Sequence, residues 1–163
     1  MRLAIPIAIW AACVSTAASP AEVLTYSGYG AVRFGMPLAE AERAVGQPSK
    51  PEDPGAANES CHYVVFPRYH GVSFMLEDGR VVRADLDHTA RNILGLAVGM
   101  KLSYVRAHYP GVIVRPGSDQ DHELVFKSRG GEPGEILAVE WDGAVMGIRG
   151  GILPAVEYVE GCL

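Results

Sequence analysis

Residues 71–86 read GVSFMLEDGRVVRADL. Two runs rich in β-branched and aromatic residues flank an Asp-Gly pair at 78–79, which is typical of antiparallel strands joined by a tight turn. A three-residue turn with its glycine in the left-handed conformation would place Phe74 opposite Val82, so that apolar side chains meet. A two-residue turn would place Phe74 opposite Arg83 instead. The pattern predicts a β-hairpin and favours the first register.

This hairpin belongs to a set of short motifs that occur twice in the chain. The pairs are GMPL at 35–38 and GMKL at 99–102, HYVVF at 62–66 and HELVF at 122–126, and DGRV at 78–81 and DGAV at 142–145. The first and last pairs are separated by the same interval along the chain, and the middle pair by a slightly shorter one. We therefore predict an α+β fold of two tandem helix-plus-antiparallel-sheet repeats, each roughly αβββ, fused into one compact unit. The predicted repeats span 22–88 and 89–163.

Each predicted repeat opens with a short helix. Residues 37–45 begin with proline and are followed by Gly46, and residues 101–109 are followed by a Pro-Gly pair. Apolar side chains in both segments recur on one helical face, whereas helices of two to three turns are marginal alone in water. Both helices must therefore pack on the sheet. At the end of the chain, 152–159 is predicted to add an edge strand.

The first 21 residues have the features of a secretory signal peptide. Arg2 precedes an apolar run of about 12 residues, too short to cross a bilayer, and the small residues that follow permit cleavage after Ala17 or Ala21. The segment before Cys13 also resembles a lipobox, so lipidation of Cys13 is an alternative. The sequence predicts a periplasmic or secreted protein without a transmembrane segment.

Export determines how the cysteines are interpreted. Once the signal is removed, Cys61 and Cys162 remain, in a compartment where disulfides persist. We predict that they pair, and the alternative is two unrelated buried thiols. For a loop of this length, the chain-entropy stabilisation is about 4.7 kcal/mol.

Several of these features together carry a family resemblance. They are the exported chain, the GMxL helix starts, the strand with Cys61, the hairpin at 71–86 and the closing YVEGC at 158–162. The chain resembles a group of uncharacterised secreted bacterial proteins. At the level of fold it resembles the tandem modules of β-lactamase inhibitor proteins and of small outer-membrane-assembly lipoproteins. That resemblance implies binding, inhibition or scaffolding in the envelope, although this chain has one predicted disulfide instead of one per module.

Composition and motifs argue against several other functions. The chain has 14 Lys and Arg against 19 Asp and Glu, a formal charge of −5, which disfavours nucleic acid as a partner. The five histidines are scattered singly, so no metal site is predicted. Neither a serine nucleophile motif nor a dinucleotide fingerprint is present, and no cofactor is expected.

The remaining candidate function is recognition of a binding partner. Trp141 and Asp142 lie at the predicted tip of the second hairpin, and Arg68, Tyr69 and His70 lie in a loop between two strands. Tryptophan and arginine are enriched among binding hot spots. The alternative for Trp141 is packing in the core, and the alternative for the loop is an ordinary polar connection.

We predict an exported, non-enzymatic binding or inhibitor-like module that recognises a protein or cell-envelope component. One alternative is a secreted binder of small molecules or carbohydrates, with a tyrosine-lined cleft between two sheets. A less favoured one is a hydrolase whose carboxylates meet only in three dimensions.

Overall fold

The structure is a computed structural model that describes residues 21–54, 60–117 and 121–162. Its helices are α1 (Leu38–Val45), α2 (Leu102–His108) and a 3₁₀ helix (Ala155–Glu157). Its strands are β1 (Leu24–Thr25), β2 (Gly28–Tyr29), β3 (Val32–Arg33), β4 (Lys50–Pro51), β5 (Cys61–Val65), β6 (Val72–Glu77), β7 (Arg80–Leu86), β8 (Ile113–Pro116), β9 (His122–Lys127), β10 (Glu135–Trp141) and β11 (Ala144–Gly151). Among these residues, no helix has both the length and the apolar character needed to span a membrane. Residues 1–20 of the predicted signal peptide lie outside the described part.

The predicted α+β class is confirmed. Strands β1 to β3 form a small antiparallel sheet, and the other eight form a large one in the order β4-β5-β6-β7-β11-β10-β9-β8. The chain runs through a helix and four strands in 38–86, and through a helix and four strands again in 102–151. Three strands per repeat were predicted, but β4 and β8 each add a fourth, and 22–88 also contains the three strands of the small sheet. The predicted architecture of two even αβββ repeats is therefore not confirmed. Strands β7 and β11 pair at the centre of the large sheet.

The first hairpin turns more tightly than predicted. Asp78 and Gly79 both have positive φ angles, 48° and 72°, which define a two-residue turn of the type favoured in hairpins. A β-bulge then gives β7 one extra residue, so that Phe74 lies opposite Ala84. Both predicted registers were therefore wrong, because neither included the bulge at Val82. Apolar side chains still meet across the strands.

The second hairpin repeats this geometry. Asp142 and Gly143 have φ angles of 50° and 79°. The pairing of β10 with β11 shifts between Val139 and Glu140, and the pairing of β6 with β7 shifts at the same distance before the first Asp-Gly turn. Both hairpins thus combine a two-residue Asp-Gly turn with a bulge in the same place relative to it.

The Gly-Met motifs connect each helix to its hairpin. In both halves the motif glycine donates to a strand carbonyl and the first helical residue donates to the glycine carbonyl of the turn. The bonds are Gly35 N to Val81 O at 2.7 Å, Gly99 N to Val145 O at 2.7 Å, Leu38 N to Gly79 O at 3.0 Å and Leu102 N to Gly143 O at 2.9 Å. These contacts explain why both motifs recur with the same spacing.

The helices cover one face of the large sheet. Each begins one residue later than predicted, with Pro37 and Lys101 in extended conformation before them. Ala41, Val45 and Val105 are buried, as their helical spacing predicted. They belong to a continuous core that also includes aromatic side chains from strands of both sheets and from the connecting segments; these are Tyr29, Phe34, Phe66, Tyr69, Phe74 and Phe126.

The other face is partly covered by the end of the chain. The predicted edge strand over 152–159 is wrong: after Gly151 the chain leaves the sheet and forms the 3₁₀ helix. Ala155 and Val156 are adjacent in sequence and both are buried, whereas an edge strand with one solvent-facing side would bury alternate residues. Ala155 packs with Met75 and Val82 on this outer face.

The predicted disulfide is confirmed. Cys61 in β5 is bonded to Cys162, with Cα atoms 5.4 Å apart and a sequence separation of 101. The bond ties the terminal segment to the first half of the sheet, next to the apolar residues that this segment covers.

Candidate binding surface

Two large apolar side chains lie exposed on the second hairpin. Trp141, the last residue of β10, is 49% exposed, and Met146 in β11 is 58% exposed. Strand alternation places Trp141 on the outer face with Val139, which packs beside the terminal segment. Met146 is the extra residue of the bulge opposite Val139 and lies on the same face. We call this pair the Trp141 patch.

The corresponding surface of the first hairpin is covered. Val82 follows the first Asp-Gly turn at the same distance as Met146 follows the second, and it is only 7% exposed because Ala155 of the terminal segment packs against it. Glu77 directly precedes the first turn, as Trp141 directly precedes the second. The two hairpins therefore share the same turn and bulge. They differ in that the apolar side chains at the tip of the second hairpin are exposed to solvent.

A buried carboxylate supports the turn beside the Trp141 patch. Glu140 is almost fully buried, and one of its oxygens accepts a hydrogen bond from the backbone N–H of Gly143. Its other oxygen, Oε2, lies 2.7 Å from Nδ1 of His122 in β9. These contacts hold the Asp142 turn against the sheet, so the patch is displayed on a well-supported tip.

The loop predicted as an interface divides between surface and core. Arg68 is half exposed and its Nε lies 3.1 Å from a Glu22 carboxylate oxygen, while His70 is exposed. Tyr69 is buried, and its hydroxyl accepts a hydrogen bond from Ala31 N at 2.9 Å. Tyr69 is thus a core residue and is not available to a partner.

The topology brings this loop and the Trp141 patch to the same end of the large sheet. The loop joins β5 to β6 and the turn at Asp142 joins β10 to β11, with only β7 between β6 and β11 in the strand order. The pairing of Leu86 with both Val72 and Ile148 fixes this alignment. Arg68, His70 and Trp141 therefore lie along one edge of the molecule.

Arg83 in β7 is buried and binds the terminal segment, which is the part of the chain after Gly151. Nε of Arg83 donates to the Asp85 carboxylate at 2.9 and 3.0 Å, and its other nitrogens donate to the carbonyls of Ala155 and Tyr158 and to the hydroxyl of Tyr63. Burial, and then the negative charge of Asp85, raise the pKa of Tyr63 to about 12. Sequence reasoning missed this network, since nothing in the local pattern distinguishes Arg83 from an exposed strand residue.

A second buried arginine is poorly satisfied. Arg149 lies opposite Asp85 in the sheet and donates to Glu123 at 3.3 Å, while its Nε has no hydrogen-bond partner among the described residues. Burial, followed by repulsion from Arg83, lowers the pKa of Arg149. We therefore expect Arg149 to contribute less to the stability of the fold than Arg83 does.

Carboxylates also line a cavity of about 520 Å³, which includes Glu52, Asp85 and Asp87. The side chain and backbone of Thr89 donate hydrogen bonds to Asp87 and lower its pKa, whereas a general acid needs a raised one. Within the described ranges, no three side chains of the metal-ligating types converge. The lowered pKa of Asp87 therefore does not favour a role for this carboxyl as a general acid.

Comparison of the chain with protein-family models, with curated proteins and with solved structures finds no match.

Proposed function

We propose that this chain is an exported, non-enzymatic module that binds a protein or cell-envelope component through the Trp141 patch. The observation that carries this proposal is the pair of large apolar side chains, half exposed or more, on a hairpin tip supported by a buried carboxylate. Exposed apolar side chains grouped on one face are characteristic of protein-binding surfaces, and tryptophan is among the residues most enriched in their energetic centres.

A duplicated framework supports the proposal. We infer that 22–88 and 89–163 descend from one helix-plus-sheet unit, each now contributing four strands to the large sheet. The equal offsets of the Gly-Met contacts, the Asp-Gly turns and the bulges favour this origin. Because the chain covers the outer tip of the first unit with its own terminal segment, the matching tip of the second unit is available for a segment from a partner.

The predicted compartment agrees with this role. A disulfide that closes 101 residues is suited to an oxidising environment. A partner in the periplasm or on the cell surface would meet the module after export, when the fold is complete.

The proposal is tested by capture from a solubilised envelope fraction of the native host. The bait proteins are the oxidised mature chain and its Trp141→Ala, Met146→Ala and Tyr104→Ala variants. Tyr104 is a matched control, since it is 47% exposed and lies on α2, on the other side of the sheet. Loss of the same captured component from the first two variants and its retention by the third is expected. Equal capture by all variants, or loss only with Tyr104→Ala, would overturn the proposal.

A further inference from the structure

A cavity of about 380 Å³ opens between the small sheet, the end of α2 and β9. Its walls include the rings of Tyr26, Tyr109 and Phe126. Tyr109 is fixed in place, because its hydroxyl donates to Leu94 O at 2.7 Å and its ring meets Phe126 edge-on at 5.5 Å. The volume lies in the range of small-molecule sites, and the walls suit a flat apolar body.

Basic side chains are concentrated at the same cavity. Lys127, Arg129 and His108 all line it, in a chain whose formal net charge is −5. Lys127 is paired with Glu135 at 2.9 Å. Arg129 is exposed and forms no ion pair among the described residues, so its guanidinium is available at the opening.

A second acidic group near this wall, Glu132, is also engaged. Glu132 influences Tyr26, whose pKa is raised by burial and then by that negative charge, and lowered by Arg129. The carboxylate of Glu132 accepts a hydrogen bond from the Ser128 hydroxyl. The cavity thus combines aromatic walls with an available guanidinium.

We propose that this cavity is a binding site for a small aromatic carboxylate, with the ring between the tyrosine and phenylalanine walls and the carboxylate on Arg129. A planar guanidinium matches a carboxylate through two parallel hydrogen bonds, and the apolar walls exclude water from the ring. The site is independent of the Trp141 patch, none of whose residues line the cavity.

Isothermal titration of the oxidised mature protein with 2-naphthoate tests the proposal, with 2-naphthylmethanol as the neutral probe of similar shape. Binding of naphthoate at least about tenfold tighter than the alcohol is expected. Arg129→Gln removes this difference, because a bidentate charge-assisted contact is lost. The matched control is Arg106→Gln, which alters an exposed arginine outside the lining and leaves both affinities unchanged.

A second variant tests the location. Val112 lines the cavity, and Val112→Phe reduces its volume, so binding of both probes weakens while Arg129→Gln affects the anion alone. Thermal unfolding of each variant identifies those that fold, and Arg129→Gln decides the case if Val112→Phe does not. Absence of naphthoate binding, equal binding of the two probes, or unchanged affinity in Arg129→Gln would overturn the proposal. Trp141→Ala leaves these affinities unchanged, which separates this site from the proposed function.

Discussion

Replacing Arg83 with methionine should destabilise the protein far more than the same change at Arg149, although both arginines are buried in neighbouring strands. Arg83 satisfies a carboxylate, two terminal-segment carbonyls and the Tyr63 hydroxyl. Methionine keeps most of the apolar packing and removes every one of these bonds. The difference between the two losses in free energy of unfolding therefore reports how well the hydrogen bonds and ion pairs of each arginine compensate its burial.

The magnitude follows from the surroundings of each side chain. Breaking a buried charge pair costs about 3–5 kcal/mol. The Asp85 side chain is 30% exposed and regains part of its hydration, so Arg83→Met should cost about 3 kcal/mol, at the low end of that range. Arg149 has one long bond at 3.3 Å and is repelled by Arg83, so Arg149→Met should change stability by less than about 1 kcal/mol in either direction.

Urea unfolding of the oxidised proteins, followed by far-ultraviolet circular dichroism, measures the difference. With a slope of about 2 kcal/mol/M, a loss of 3 kcal/mol lowers the midpoint by about 1.5 M. Arg106→Met controls for the substitution itself at an exposed position. Equal costs at Arg83 and Arg149, or a cost below about 1 kcal/mol at Arg83, would refute the reasoning.

Three further predictions concern the disulfide, the buried tyrosine and the matched glycines. Cys162→Ser should lower the free energy of unfolding by up to about 4.7 kcal/mol, measured by urea unfolding, and adding Cys61→Ser should cost little more, because either change opens the same loop. The folded pKa of Tyr63, about 12, exceeds the unfolded value near 10, so its contribution is complete below pH 10 and is lost as pH rises to 12; unfolding across this window should show a shallower loss in Tyr63→Phe. Gly35→Ala and Gly99→Ala should each cost about 1 kcal/mol by thermal unfolding, since both positions have φ of 85°, and clearly unequal costs would count against matched roles.

The sequence predicted those features that depend on local chemistry. The Asp-Gly turns, the short helices with Ala41 and Val105 inward, and the Cys61–Cys162 bond all follow from nearest-neighbour patterns or from compartment. For the turns and the helices, a single local requirement, a positive φ or an apolar helical face, determines the outcome.

Other features depend on contacts that are distant in sequence. The observed register of the first hairpin differs from the predicted ones because of a β-bulge. The alternation of polar and apolar residues in the sequence does not distinguish a bulged strand from a regular one. The position of the terminal segment on the outer face depends on Arg83, which is 72 residues away from Ala155. The burial of Tyr69 likewise depends on the distant Ala31 backbone, so a loop sequence that predicted an interface includes a core residue.

The most direct test of the proposed binding role is photo-crosslinking in the native host. A benzophenone amino acid replaces Trp141 in one variant and Tyr104 in a second, and both side chains are about half exposed in the folded protein. Irradiation should give one discrete adduct of higher mass from position 141 and none of that mass from position 104. The same adduct from both positions, or none from position 141 in correctly oxidised protein, would contradict the account.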